Sequence, residues 1–398
     1  MQTSQMLELE KAHMSGGIGR RPVAIVRAAG ARLWDSDGNE YIDCAAGQGW
    51  ANAGHSHPEV TGAIQAQAAV LVAHTESSFN DQRALWLGEL AAVLRDALGE
   101  TERGALGRIH ACNSGAEAIE AAIKVARYFT GRPGIVAARR GFHGRTLGAL
   151  SATWNPKYRR PFEPLLPGFS HVPFNDVEAA QAAINDETAA VIVEVVQGEG
   201  GVNPARPDYL AALRRLCDER GALLVVDEIQ TGFGRTGRWF AGQHFDLQPD
   251  VIALGKTLGG GLPMGAIAWR EGLGPLKPGT HGSTFGGNPL ACAASRAVLR
   301  VMQDEQLPER AGRLGGWLLA ELRALDAPLV REVRGLGLMV GLELRRKVTP
   351  VLKALLERGV WALPAGPTVL RLLPPLVISE EDLQTVVRAI GEALGVGD

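Results

Sequence analysis

Apolar residues recur along this chain at two different spacings, and the alternation between them is its main signal. Continuous apolar runs with no polar residue interleaved stand at 135–138, 223–226 and 251–254, and the run at 189–196 is interrupted only by Glu194. Such runs predict strands covered on both faces. Shorter apolar stretches at 109–112 and 171–174 read the same way. Between them, at 59–73, 81–98, 116–129, 145–151, 177–185 and 207–220, apolar positions return at helical spacing. Strands alternating with helices predict an α/β fold, a mostly parallel sheet between helices. The two ends read differently. Residues 1–20 predict a short helix and a loop, and 23–27, 31–34 and 41–44 predict strands, with Asp35-Ser36-Asp37-Gly38-Asn39 as a hairpin turn. Pro289 opens a helical region that runs to about 325. Strands at 330–333, 338–344, near 360 and at 369–373, with a helix from 380, then predict an α+β end. The expected division is 1–57 joining a small domain, 58–305 as the large domain, and 306–398 as the α+β remainder.

Composition narrows the class. The 398 residues are 46% hydrophobic and 21% charged, as in a soluble globular protein. With 41 basic and 43 acidic residues, the formal charge is -2, which gives no support for a nucleic-acid surface. No apolar run is long enough for a bilayer, and residues 1–15 lack a signal-peptide pattern, so a cytoplasmic location is expected. The four cysteines form no CxxC pair, so buried free thiols are expected rather than a zinc site or disulfides. His55 and His57 have no third ligand at useful spacing, and no metal is expected.

Candidate chemistry collects where the strands end. The run at 223–226 stops at Asp227-Glu228, and the run at 251–254 delivers Gly255-Lys256-Thr257. Carboxyl ends of parallel strands are where open α/β sheets bind ligands. A Walker loop is excluded, because Asp250 stands where that motif needs glycine. Gly232, Gly234 and Gly237 match a dinucleotide fingerprint, but Asp227-Glu228 precede them and no amphipathic helix follows. A lysine Schiff base to pyridoxal phosphate, with an aspartate on the ring nitrogen, uses both groups. A structural aspartate and a surface lysine stay open on this stretch alone. Upstream, Ser114-Gly115-Ala116-Glu117 has capping-box spacing at a helix start, a ready anion site. The loops 140–145 and 194–201 follow strand ends and face the same edge.

Taken together, these segments resemble the class-III, fold-type-I aminotransferases over nearly the whole chain. The carriers are Asn113-Ser114-Gly115-Ala116-Glu117, Phe142-His143-Gly144-Arg145-Thr146, residues 194–201, Asp227-Glu228-Ile229-Gln230-Thr231-Gly232, Lys256, residues 283–289 and residues 370–376. Residues 41–44, 153–159 and 363–368 are similar to the acetylornithine branch, and more closely to its relative in carrier-linked lysine biosynthesis. There the amino acid hangs by its α-amine from the C-terminal glutamate of a small acidic carrier, LysW. Residues 47–53 depart from the usual acetylornithine-branch segment.

The resemblance implies a seven-stranded sheet, pyridoxal 5'-phosphate and a homodimer. It makes Lys256 the attachment point and proton shuttle, and Asp227 the partner of the ring nitrogen. Phe142 and Ile229 would cover the ring faces, with His143 close by and Gln230 at the phenolic oxygen. Ser114, Gly115 and Ala116 would hold the phosphate, joined by Thr284 of the other subunit. Arg145 would clamp a distant substrate carboxylate, Glu194 and Ser283 would support the substrate site, and Glu199 would neutralise Arg371 until glutamate binds. The implied reaction moves an amino group between glutamate or 2-oxoglutarate and the terminal aldehyde of a blocked amino acid. Alternatives are free ornithine or 4-aminobutyrate as substrate, and a catalytically silent metabolite-binding protein. For an acidic carrier, basic residues at the mouth are expected from Lys157, Arg159 and Arg160, because 47–53 and 363–368 carry no charge.

Overall fold

The structure is a computed structural model that describes residues 1–396. Helix α1 (Thr3–His13) precedes three antiparallel strands, β1 (Ile25–Ala29), β2 (Arg32–Asp35) and β3 (Glu40–Asp43). Asp35 forms the expected turn by accepting from the backbone N–H groups of Asp37 and Asn39. A single turn, α2 (Ala46–Gly49), has positive φ throughout, at 44, 56, 72 and 85°. Helices α3 (Pro58–Ala68) and α4 (Asp81–Leu98) follow. The first is shorter than its periodicity predicts: the chain leaves the helix at Ala69, and Val70, Leu71 and Val72 lie exposed.

The α/β portion then runs β4 (Arg108–Cys112), α5 (Gly115–Thr130), β5 (Gly134–Ala138), α6 (Leu147–Ala152), α7 (Pro156–Arg159), β6 (Phe169–Val172), α8 (Val177–Ala183) and β7 (Thr188–Val193). A small hairpin, β8 (Val196–Gln197) and β9 (Asn203–Pro204), leads to α9 (Pro207–Arg220) and β10 (Leu223–Asp227). The expected single strand over 189–196 is therefore two, broken at Glu194. After β11 (Val251–Leu254) comes β12 (Gly265–Trp269), which the apolar pattern did not reveal. Its Gly-Ala-Ile-Ala-Trp sequence is short and rich in small residues, so it carries a weak strand signal.

These strands form one seven-stranded sheet in the order β4-β12-β11-β10-β7-β5-β6. Only β12 runs against its neighbours. Every residue of β7, β10 and β11 is buried, as continuous apolar runs require. Helix α5 covers one face with Ile119, Ala122 and Val125, and α9 covers the other with Tyr209, Leu213 and Leu216.

The helical stretch after Pro289 is two helices, α10 (Pro289–Asp304) and α11 (Leu307–Ala324). The break falls at Gln306, which has φ 49°, and Pro308 sits in the first turn of α11. The remaining strands are β13 (Val330–Leu336), β14 (Met339–Leu344), β15 (Val360–Trp361), β16 (Leu363–Ala365) and β17 (Val369–Leu372), with α12 (Thr349–Glu357) and α13 (Glu380–Leu394). Four of these strands pair as β13-β14-β17-β16, while β15 pairs in parallel with β3 from the other end of the chain. The four cysteines are buried and free. Among the described residues no helix is long and apolar enough to cross a membrane, and no group of three metal-ligating side chains occurs.

Candidate active site

Register brings the aspartate and lysine together. Strands β10 and β11 are parallel with Asp227 opposite Ala253, so the chain that leaves β11 reaches Lys256 beside the end of β10. Strand β7 runs parallel to β10, with Val193 opposite Val226, and delivers Glu194. Strand β5 runs parallel to β7 and delivers 139–145. Reversed twice through β12, β4 points the same way and delivers Ser114 and Gly115. Five strands thus present their carboxyl ends to one cavity, lined by Gly115, Ala116, Phe142, His143, Glu194, Glu199, Asp227, Ile229, Gln230 and Lys256 among others.

Asp227 is 4% exposed, and both carboxylate oxygens are bonded. His143 Nδ1 lies 2.7 Å from Oδ2, and the Ile229 N–H donates to Oδ1 at 3.0 Å. Burial disfavours a charged His143, but the hydrogen bond to Asp227 and the charges of Asp227 and Glu194 together outweigh it, so the His143 pKa is raised. Lys256 starts a 3₁₀ turn with φ 47°, a left-handed conformation that costs a residue with a Cβ about 1–2 kcal/mol. Burial lowers its amine pKa, with Arg371 adding to the effect and Glu199 and Asp227 opposing it. A buried amine with a lowered pKa is a nucleophile.

Glu194 ties two loops to the sheet. Its carboxylate accepts from Phe142 N–H at 2.9 Å and from Gly198 N–H at 3.2 Å. Burial pushes its pKa up to about 7. Glu228, next to Asp227 in sequence, points elsewhere and accepts from Gly242 N–H at 2.8 Å; burial pushes its pKa up to about 7 as well. Arg371 is 1% exposed and pairs with Glu199 at 2.7 Å. It also donates to Gln230 Oε1 at 3.2 Å and to Gln48 Oε1 at 3.3 Å, while its Nε–H has no partner. Gln48 projects from the positive-φ turn α2, inside the stretch 47–53 that departs from the acetylornithine branch.

The residues present fit pyridoxal phosphate. Helix α5 begins at Gly115 with Ser114 as its cap, Ser114 Oγ taking the Glu117 N–H at 3.1 Å. The Gly115 and Ala116 N–H groups have no partner within the helix, and both residues line the cavity, which suits a phosphate. A Cβ at Gly115 would come within 2.9 Å of Ile229 Cγ2, so glycine keeps this wall open. Aspartate for a ring nitrogen, lysine for an aldehyde and flat walls from Phe142 and Ile229 all meet here.

Other expected residues lie outside the cavity. Arg145 is exposed and rests over Tyr158, 4.3 Å from its ring centre, and over Phe142 at 5.8 Å. Ser283 and Thr284 line a separate cavity with His110, Asn113, Glu117 and His281. Ser283 Oγ accepts from Asn113 Nδ2 at 3.0 Å and from Gly286 N–H at 3.0 Å. Within one chain, neither reaches Lys256. A mouth of about 430 Å³ adjoins the catalytic cavity and shares Phe142 and Glu199 with it. Residues from 154–158 and from 365–369 form opposite walls, which brings together the two segments singled out in sequence. Its cations are Arg140 and Arg334 rather than Lys157, Arg159 and Arg160.

Sequence reasoning missed Gln48 as a partner of Arg371, and also missed Arg235. Arg235 is fully buried and binds Asn52 Oδ1 at 2.6 Å and Leu338 O at 3.0 Å, which pins 47–53 against the β13–β14 turn. An arginine inside the glycine-rich run 232–237 was the available signal. Burial lowers its pKa to about 9.

Comparisons with known proteins agree with this geometry. The model of the class-III aminotransferase family matches residues 15–394. A LysW-aminoadipate semialdehyde transaminase of Deinococcus radiodurans is 47% identical, covering 98% of this chain and 90% of its own. An acetylornithine aminotransferase of Methanopyrus kandleri is 46% identical, covering 97% of each. Among solved structures, the ornithine aminotransferase of Toxoplasma gondii ME49 superposes with a TM-score of 0.93 at 35% identity, covering 99% and 95%. The acetylornithine aminotransferase of Elizabethkingia anophelis gives 0.86 at 32% identity, covering 99% of each.

Proposed function

The chain belongs to the class-III aminotransferases, and from that premise we propose that it exchanges an amino group between glutamate/2-oxoglutarate and the terminal aldehyde of an N-blocked amino acid in lysine or arginine biosynthesis. It is an aminotransferase that works with pyridoxal 5'-phosphate, as its class does. The names of the relatives support a blocked substrate, linked to LysW in one and acetylated in another, over free ornithine or 4-aminobutyrate. A silent binding protein would not need the strained Lys256 beside Asp227.

Pyridoxal phosphate, when bound, supplies the electron sink for the carbon that loses its proton. Lys256 Nζ would hold the cofactor and, once freed, would serve as the proton-transferring base of the site. Asp227 holds a proton on the ring nitrogen, and His143 orients Asp227 through Nδ1. Gly115 and Ala116 bind phosphate by N–H, with Ser114 fixing the helix end. Phe142 and Ile229 hold the ring between them, and Gln230 uses its amide nitrogen on the phenolic oxygen while its Oε1 faces Arg371. Arg145 takes the carboxylate of the blocked substrate.

The observation that carries the reading is the Glu199–Arg371 pair at 2.7 Å beside the catalytic cavity. With the pair closed, Arg371 is neutralised and an ω-amine substrate meets no unpaired buried cation. Glutamate displaces Glu199 and gives Arg371 its α-carboxylate. We assign Ser283 and Thr284, which do not reach Lys256 in their own chain, to the site of a second copy in a homodimer. Residues 1–57 and 306–398 form the smaller body, a division supported by the β3–β15 pairing. A cytoplasmic location and LysW as the carrier complete the reading. The test is a panel of acetylornithine, carrier-linked lysine, free ornithine and 4-aminobutyrate, with each half-reaction followed by itself. Turnover of a blocked substrate at least tenfold above the free amines supports it; preference for a free amine overturns it.

A further inference from the structure

Arg140 stands at the mouth in a conformation that a side-chain-bearing residue rarely adopts, with φ 67°. Glycine would hold this turn without strain, and the next residue is Gly141. The turn is pinned on both sides. Arg139 N–H donates to Val172 O at 2.7 Å, Gly141 N–H donates to Ala138 O at 3.1 Å, and Trp154 N–H donates to Gly141 O at 2.9 Å. Its carbonyl packs against the loop that carries Glu199, where a Cβ at Gly200 would come within 2.5 Å of Arg140 O. The backbone is therefore over-determined, and a large cationic side chain is carried on it.

The charges of the mouth divide sharply. Arg334 is spent: it pairs with Glu332 at 2.8 Å and Glu343 at 2.6 Å, and donates to Gly201 O and Val202 O. Arg371 is held by Glu199. Arg140 has no hydrogen-bond or ion-pair partner among the described residues, and Arg145 has only the faces of Tyr158 and Phe142. Arg334 bonds hold Glu343 below the ordinary carboxylate range, and Arg140 contributes from a greater distance.

Two unpaired guanidinium groups, Arg140 lining the mouth and Arg145 over the Tyr158 and Phe142 rings of its wall, call for two anionic groups on the substrate. An N-acetylated amino acid offers one carboxylate beyond the reacting amine, which Arg145 satisfies. An amino acid blocked through a γ-glutamyl link offers a second, the α-carboxylate of the blocking glutamate. We propose that Arg140 binds this second carboxylate and so selects a γ-glutamyl-blocked substrate over an acetyl-blocked one. The assignment rests on the blocked-substrate reading above and names the blocking group.

The test compares Nα-acetyl-lysine with lysine blocked at Nα by the γ-carboxyl of N-acetylglutamate, in the wild-type holoenzyme and in Arg140→Gly and Arg140→Lys. Glycine keeps the turn and removes the cation; lysine keeps the charge and loses the fork. In Arg140→Gly, kcat/KM for the γ-glutamyl substrate should fall roughly tenfold or more through KM, with the acetyl substrate changed less than about twofold. Lysine should restore part of the loss. A calorimetric Kd for the γ-glutamyl derivative of norleucine, which lacks the reacting amine, should weaken in parallel. Equal changes for both substrates, or none, overturn the assignment while leaving the function above intact. Failure of the wild-type enzyme to use either blocked amine overturns both.

Discussion

At the floor of the cavity Asp227 is 4% exposed with both oxygens bonded, whereas at the mouth Arg140 and Arg145 are exposed and have no carboxylate partner among the described residues. The floor holds the Asp227 carboxylate from both sides, so its geometry is fixed before any ligand arrives, as electrostatic catalysis requires, although the buried His143 Nε2 has no partner. The mouth holds cations without a carboxylate partner, whose counter-charge comes with the substrate on the proposed reading. Between the two stands Arg371, whose partners Glu199, Gln230 and Gln48 bind it while its Nε–H stays unpaired. On the proposed reading, chemistry is set by buried groups held in place within the protein, and choice of substrate by the mouth groups left open.

Breaking the floor should cost most. Lys256→Ala should lower turnover by about 10⁴-fold or more, because it removes the proton-transferring amine. It should also abolish borohydride-fixed cofactor, seen as loss of the pyridoxyl mass on the peptide containing residue 256. Non-covalent cofactor should survive through the α5 terminus. Residual turnover near the wild-type level would remove Lys256 from the mechanism.

The pivot should show a smaller and directional effect. In Glu199→Ala, Arg371 is left unpaired and favours an α-carboxylate. The glutamate half-reaction should then survive better than the ω-amine half-reaction, by about tenfold in the ratio of kcat/KM values. Equal losses in single-turnover measurements would make Glu199 a structural residue only.

Glu194 sharpens the floor by pH. Burial holds its pKa at about 7, above the ordinary carboxylate value of 4.5. Its contribution to stability is therefore fully present below pH 4.5 and is lost as pH rises through 7. Relative to Glu194→Gln, the cofactor-free wild type should lose on the order of 2 kcal/mol between pH 5 and 8. Thermal midpoints of the two proteins across that range read the difference, in which the histidines remote from Glu194 cancel while His143, whose pKa Glu194 helps raise, titrates with it. A constant difference would mean that Glu194 stays ionised throughout.

Gln48→Ala should have the mildest effect. It removes one 3.3 Å bond to Arg371 and leaves Glu199 in place. KM for glutamate should rise by about threefold to tenfold with kcat little changed. A larger rise for the ω-amine substrate would place Gln48 on the other half-reaction.

The sequence by itself determined the elements and their chemistry. Continuous apolar runs marked β5, β7, β10 and β11, because strands buried on both faces tolerate no polar alternation. Ser114 and Pro289 marked helix starts at Gly115 and Pro289, because caps act within one turn of chain. Asp227 and Lys256 were legible as strand-end groups for the same local reason. What joins distant segments was decided only by tertiary packing. The antiparallel β12, inserted between β4 and β11, has too little side chain to announce itself, and only its neighbours make it a strand. Arg235 became a buried clamp because Asn52, Leu338 and Pro374 surround it with acceptors. The mouth gained Arg140 in place of Lys157, Arg159 and Arg160 because a left-handed turn after β5 places that residue at its rim. Periodicity records what each residue does to its own backbone; which side chains meet depends on register and burial shared across the whole sheet.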